Sequence, residues 1–401
     1  MSFRYNIMTA TEILKLIPEK TFDELTAETE VDHQVKRLTG ETIFKLVLFS
    51  MLSTNKTSLR IMEKFISSAV FKCFNRRTVT AKKGRKTLSP HGCKFNSIRD
   101  RICTMEVSFF EKIFEQIFVI YNKELKEETA LSKTDSTFIT LAAKLFSIGM
   151  EYGGNKTHRD VKYTIVMKGS LPMYAKAFTE QTYASEEIAM AEVINDSDEL
   201  KGGMIVFDRG LKSRDSFDKF TEDEKYFITR SNLGVKHLVD QKIKVGKKAK
   251  DSTVTIESDS IVYLFSKSGK KSKSKYRLIT GKIDESGETI CFISNLLKED
   301  AYMIAHWYKK RWEIETFFKF IKQQLNASHL ICRDQNGIKI MLYMTLIVAS
   351  LIIVYRKLNK VKSYKIAKQQ IEMELNDEMI KVIVRLCGGD PEKAAALWRK
   401  T

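Results

Sequence analysis

Ala305-His-Trp-Tyr-Lys-Lys-Arg-Trp-Glu-Ile-Glu-Thr-Phe-Phe-Lys-Phe-Ile-Lys322 holds four residues whose spacing governs the rest of the chain: Tyr308, Arg311, Glu315 and Lys322. On a helix turning about 100° per residue, these positions share a stripe roughly 60° wide. Met303, Trp307, Ile314, Phe317, Phe318, Ile321 and Leu325 fill the neighbouring sector, with Lys310 the misfit. The quartet is therefore predicted along the rim of a buried helix face. One carboxylate flanked by two cations and a phenol suits a metal-binding acid beside a phosphate-binding edge. The plainer alternative is a solvated face on which Arg311 and Glu315 pair across one turn.

Two further acids lie upstream, in Lys133-Thr-Asp-Ser-Thr-Phe-Ile-Thr140 and Met204-Ile-Val-Phe-Asp-Arg-Gly210. In the second, a short run of β-formers ends in Asp208 and Gly210 permits a tight turn, which brings a carboxylate to the carboxyl end of a strand. Taken singly, either aspartate also fits a turn or a helix cap.

Together, Tyr-x2-Arg-x3-Glu-x6-Lys with Trp312 after Arg311, the Asp-Ser-Thr around Asp135 and the Asp-Arg-Gly at Asp208 resemble the IS4 family of bacterial insertion-sequence transposases. The resemblance covers most of residues 130–360. It implies a DDE enzyme in which Asp135, Asp208 and Glu315 are both the catalytic acids and the metal ligands. Two Mg2+ are implied, bridged by Asp135, with Mn2+ able to substitute. Tyr308, Arg311 and Lys322 would grip DNA phosphates near the cleaved end. The implied chemistry is cleavage at the element ends and strand transfer into target DNA. The implied partner is double-stranded DNA, bound as terminal inverted repeats and as target, by a homodimer assembled on it. Leu211 departs from the aromatic that often follows Asp-Arg-Gly, and the N-terminal region has no helix-turn-helix signature.

Composition agrees. Lys and Arg total 68 against 50 for Asp and Glu, leaving +18, which favours a polyanionic partner. The charge is concentrated: Lys72, Arg76, Arg77, Lys82, Lys83, Arg85, Lys86, Lys94, Arg99 and Arg101 stand against Asp100 alone in their segment. A second concentration runs through Lys242–Lys250 and Ser266–Lys275. A single such run reads as a solvated loop, but two beside a phosphoryl-transfer core suggest surfaces that track a DNA backbone.

The fold class expected is α/β: an RNase H-like mixed-sheet catalytic core with a mostly β insertion, preceded by an all-helical N-terminal domain. Residues 1–125 show helical periodicity, as in Ile43, Leu46, Val47 and Met51, and read as a DNA-binding domain. Residues 126–232 form the first part of the core, with strands at Thr134–Leu141, Val161–Lys168, Met173–Phe178 and Tyr226–Arg230, and a helix at Glu186–Ile194. Residues 233–293 alternate as short β pieces, among them Thr253–Glu257 and Ile261–Phe265, and read as a β-rich insertion. Residues 294–360 form the second part of the core, with the glutamate helix, and 361–401 a C-terminal helical segment. The apolar run Ile340–Tyr355 is short of the roughly 20 residues a bilayer needs. It reads as a buried helix, which the resemblance packs against the sheet, so no membrane partner is expected.

The 6 cysteines show no CxxC pair, which speaks for reduced thiols. His91-Gly-Cys93 alone is a poor zinc half-site. The start of the chain has no apolar core of signal-peptide length, so a cytoplasmic, nucleoid-associated bacterial protein is expected. Two rival functions remain open: an RNase H-fold nuclease that cuts without joining, and a non-enzymatic DNA-binding protein.

Overall fold

A computed structural model describes residues 8–53, 57–68, 71, 92–127, 129–141, 148–151, 158–248, 250–327, 330–332 and 334–393. By packing, the chain divides into two units, Met1–Lys126 with Phe320–Thr401, and Glu127–Lys319.

The first unit opens with helices α1 (Ala10–Lys15), α2 (Glu19–Thr29), α3 (Gly40–Ser53), α4 (Leu59–Ser67), α5 (Phe95–Thr104) and α6 (Val107–Leu125). Thr9 and Glu12 close a capping box on α1, satisfying amides that have no partner inside the helix. The basic cluster at Arg76, Arg77, Lys82, Lys83, Arg85 and Lys86 lies outside the described residues, as does His91.

The second unit is built on one mixed sheet. β1 (Leu131–Leu141), β2 (Arg159–Lys168) and β3 (Leu171–Phe178) pair as an antiparallel meander. Helix α7 (Glu186–Asp196) leads to β4 (Met204–Phe207), parallel to β1, and α8 (Arg214–Glu222) leads to β5 (Tyr226–Arg230), parallel to β4. β6 (His237–Lys242), β7 (Val254–Leu264), β8 (Tyr276–Ile283) and β9 (Thr289–Ser294) follow, and the sheet order is β3-β2-β1-β4-β5-β9-β8-β7-β6. The β-rich segment is thus joined to the core by hydrogen bonds, because β9 pairs antiparallel with β5. The two pieces expected at Thr253–Glu257 and Ile261–Phe265 are one strand, β7, with a register shift between Ile256 and Ser258. β6 escaped the sequence reading because every residue of it is exposed, leaving no buried alternation to find.

Successive residues of β4 serve opposite faces, so the strand is apolar throughout. Val206 joins a core with Leu131, Ile228, Phe292, Tyr302 and Ile304 under α9 (Ala301–Lys309). Phe207 packs with Phe217, Phe220 and Phe227 beneath α8.

The helix expected to be continuous through Lys322 is broken. α9 ends at Lys309 and α10 runs Trp312–Gln324, with Arg311 N bonding Tyr308 O at 3.0 Å across a tightened turn. The break rotates α9 relative to the predicted stripe, so Met303, expected on the buried side, is exposed. Ile314, Phe317, Phe318, Ile321 and Leu325 are buried as expected.

α11 (Gln335–Leu358) and α12 (Tyr364–Leu386) return to the first unit. The stretch 294–360, grouped by the sequence as one part of the core, therefore divides after Lys319. α11 is long and apolar enough to cross a membrane, yet its apolar window is 94% buried inside the protein. Within the first unit its neighbours are α6, α12, α5, α3 and α1. A helix apolar all round needs cover on every side, which a bundle supplies and one sheet face cannot.

Candidate active site

Parallel register brings the first two acids together. β1 and β4 pair from Leu131↔Met204 to Thr134↔Phe207, and Asp135 and Asp208 are each the next residue. Neighbouring strands lie about 4.8 Å apart, so the two carboxylates leave the sheet side by side. Alternation along β1 and β4 puts them on the face of Lys133 and Val206, the face that α9 covers.

The glutamate helix completes the cluster. Tyr308 donates its hydroxyl to Asp208 Oδ1 at 3.3 Å. Arg311 reaches Asp135 Oδ2 at 3.5 Å with Nη1 and Glu315 Oε1 at 2.5 Å with Nη2, so one guanidinium ties the first acid to the third. Its Nε is buried with no hydrogen-bond partner. Asp135 also accepts from the Ser136 amide at 2.8 Å.

Burial pushes the Asp135 carboxyl up to about 7, and the negative charges of Glu186 and Asp208 push the same way, against the amide of Ser136 and the Arg311 cation. Burial also pushes the Tyr308 phenol up, which keeps it a proton donor. Lys322, on α10 seven residues past Glu315, is half-buried and makes no hydrogen bond or ion pair among the described residues; burial draws its pKa down. Of the predicted site residues, Asp208 and Tyr308 thus bond directly, and Arg311 bonds both Asp135 and Glu315. Lys322 takes no part in those bonds.

The donor set suits a hard divalent cation, which takes carboxylate oxygens. The orphaned Arg311 Nε suits an incoming anion, since a buried donor left unpaired is costly.

A family model described as "Transposase DDE domain" matches residues 133–351, more than half of the chain. The chain belongs to that family. Members of that family cleave and transfer DNA and depend on divalent cations. A second model, "Domain of unknown function (DUF4372)", matches residues 8–73. The chain is 32% identical to a Sinorhizobium fredii protein named as transposase y4zB, over 40% of this chain and 44% of that one. It is 26% identical to a Synechocystis protein named as the transposase of insertion sequence element IS4SA, over 62% of this chain and 71% of that one. It is 27% identical to a Geobacillus stearothermophilus protein named for element IS5377, over 34% of each. The chain thus spans less than half the length of two of these three relatives.

Two residues beside these three acids escaped the sequence reading. Lys133 is 3% exposed and donates to Glu313 Oε2 at 2.6 Å and to Gly169 O, pinning the first turn of α10 over β1. It lies two positions before Asp135, so strand alternation could have found it. Glu186, the first residue of α7, has no such sequence signal. The chain turns at Arg209 and Gly210 as expected, but the φ of Gly210 is not positive, and what the glycine supplies is space, since a Cβ there would lie 2.4 Å from Glu186 Cδ.

In the second basic concentration, Lys248, Lys270, Lys273 and Lys275 pair with Asp284, Asp215, Glu222 and Asp240. Those lysines are partly neutralised where they stand. Lys244, Lys247 and Lys267 have no ion pair among the described residues. In the first unit, Cys103, Cys332 and Asp334 bring their ligand atoms within 4.8 Å of one another, and burial pushes the Cys103 thiol up to about 12.

Proposed function

We propose that this protein cuts double-stranded DNA at the ends of an IS4-type insertion sequence and joins the freed 3′-hydroxyl to target DNA. What supports the reading most is the register of β1 and β4, which sets Asp135 beside Asp208, with Glu315 tied to Asp135 through Arg311.

Asp135, Asp208 and Glu315 would hold two Mg2+ ions, for which Mn2+ can substitute. Bound there, such ions generate a strong nucleophile at neutral pH and stabilise the departing oxygen. The protein's own groups do the rest. Asp135 would have to be ionised to hold a cation, which burial opposes and the neighbouring Arg311 favours. Arg311 presents a planar fork to a phosphate of the cleaved end, with its unpartnered Nε as one tine. Tyr308, protonated, steadies Asp208 and can turn its hydroxyl to a phosphate oxygen. Lys322 adds a cation further along α10. Water attack first frees a 3′-hydroxyl, and that hydroxyl then attacks the target phosphodiester.

The helical residues 1–125 would bind the terminal repeats, with two copies assembled on DNA in the bacterial cytoplasm at the nucleoid. The test is a supercoiled plasmid carrying the element's inverted repeats, with and without Mg2+, beside a strand-transfer assay on a pre-cleaved 3′-hydroxyl end. Metal-dependent cleavage and joining are expected. Asp135→Asn, Asp208→Asn or Glu315→Gln should each lower both by on the order of 10³-fold or more while DNA binding persists, because losing one member of a shared site costs nearly as much as losing all. Cleavage without joining would leave a nuclease, and binding without either a non-enzymatic DNA-binding protein.

A further inference from the structure

We propose that Glu186 is a fourth carboxylate of this centre, an oxygen donor to the divalent cation on the Asp208 side. The inference rests on the proposed function, in which Asp135, Asp208 and Glu315 hold metal. It starts from Gly210. The loop after β4 runs against the first turn of α7, where Lys212 N donates to Glu187 Oε1 at 3.1 Å. Two residues after Asp208, a Cβ on Gly210 would lie 2.4 Å from Glu186 Cδ and 2.5 Å from its Oε2. The glycine is therefore the space into which the Glu186 carboxyl fits, directly beside the Asp208 loop.

The charges that act on this carboxyl are those of Asp208 and Asp135, of like sign, and those of Lys162, Arg311 and Lys212, of opposite sign. Glu186 is partly buried, yet it makes no hydrogen bond and no ion pair among the described residues. Lys162 is fully buried, but its ammonium donates to Ala184 O at 2.9 Å and lies 4.8 Å from the Phe138 ring centre, and it does not close on Glu186. A partly desolvated carboxylate on which none of these cations closes is left as an open oxygen donor for a divalent ion. The rival role is electrostatic balance: Glu186 as the distant counter-charge of buried Lys162.

The test is Mn2+ binding to the full chain without DNA, followed by calorimetry and by the Mn2+ spin-resonance signal, with Ca2+-dependent thermal shifts as a second readout. Glu186→Gln should weaken Mn2+ binding about tenfold or more and reduce the Ca2+ shift, with the melting temperature of the metal-free protein little changed. Gly210→Ala, which displaces the same carboxyl without removing it, should weaken binding in the same direction, and circular dichroism would verify its fold. Wild-type Mn2+ affinity in both variants, while Asp208→Asn loses it, would overturn the proposal and leave Glu186 as the counter-charge of Lys162. Lower stability of metal-free Glu186→Gln, restored by Lys162→Met, would point to that same role. If Asp135→Asn and Asp208→Asn also bind Mn2+ like the wild type, the metal centre itself fails, a result distinct from the failure of Glu186 alone.

Discussion

Burial pushes the Asp135 carboxyl up to about 7, so between about pH 4 and pH 7 the folded metal-free protein keeps a proton that the unfolded chain has released. Stability is then fullest below the unfolded carboxylate range and falls as pH rises through that window, by at most about 1.4 kcal/mol per pH unit from this group. Urea unfolding at pH 5, 6 and 7 should show a steeper decline for the metal-free wild type than for Asp135→Asn, and parallel curves would remove this account. Arg311 is the second residue to probe, because it touches both Asp135 and Glu315. Arg311→Ala should lower end cleavage tenfold or more with helical content intact, and Arg311→Lys should recover part of it, since an ammonium keeps the charge but loses the fork. If Arg311 only paired with Glu315 across one turn, worth about 0.2–0.5 kcal/mol, the alanine variant would cut almost normally. The spacing singled these residues out as candidates, and the structure brings Arg311 to both Asp135 and Glu315. The bond from Arg311 to Asp135 was not, because it joins side chains far apart in the chain.

Among the elements, those with clear periodicity were found close to where they lie: β5 at Tyr226–Arg230, and α7, whose predicted span Glu186–Ile194 is Glu186–Asp196 in the structure. The break between α9 and α10 was not legible, since no proline or glycine marks it and Lys310 and Arg311 are good helix formers. The tie from Lys133 to Glu313 lies beside that break and is a tertiary contact. In the β-rich segment, Asp259 on β7 and Arg277 on β8 form a buried bidentate pair, with Arg277 also bonding Leu297 O and Glu299 O. Asp259→Ala would leave the guanidinium without its counter-charge and should cost about 3–5 kcal/mol, read as a lower urea midpoint. Replacing both residues with apolar ones of similar volume should cost much less. Equal destabilisation by the two variants would count against a charge effect.

At the scale of the whole molecule, the +18 balance predicts DNA affinity that falls steeply with salt. Neutralising Lys82, Lys83, Arg85 and Lys86 together should weaken binding and reduce the slope of log K against log salt, by at most about 0.9 for each phosphate that is no longer neutralised. An unchanged slope would return that run to a solvated loop. What the amino-acid sequence determined by itself was local and ordered: which segments are helix or strand, which acids stand in series, and how the charge is distributed. Periodicity, turn residues and motif spacing act over a few residues, so a single chain displays them. Tertiary structure alone decided that the β-rich segment extends the core sheet, that α11 is enclosed by helices from both ends of the chain, and that Glu186 fills the space left at Gly210. Each depends on which apolar face covers which, and on how closely two backbones approach. Those are energies of packing between segments distant in sequence, and no pattern within either segment encodes them.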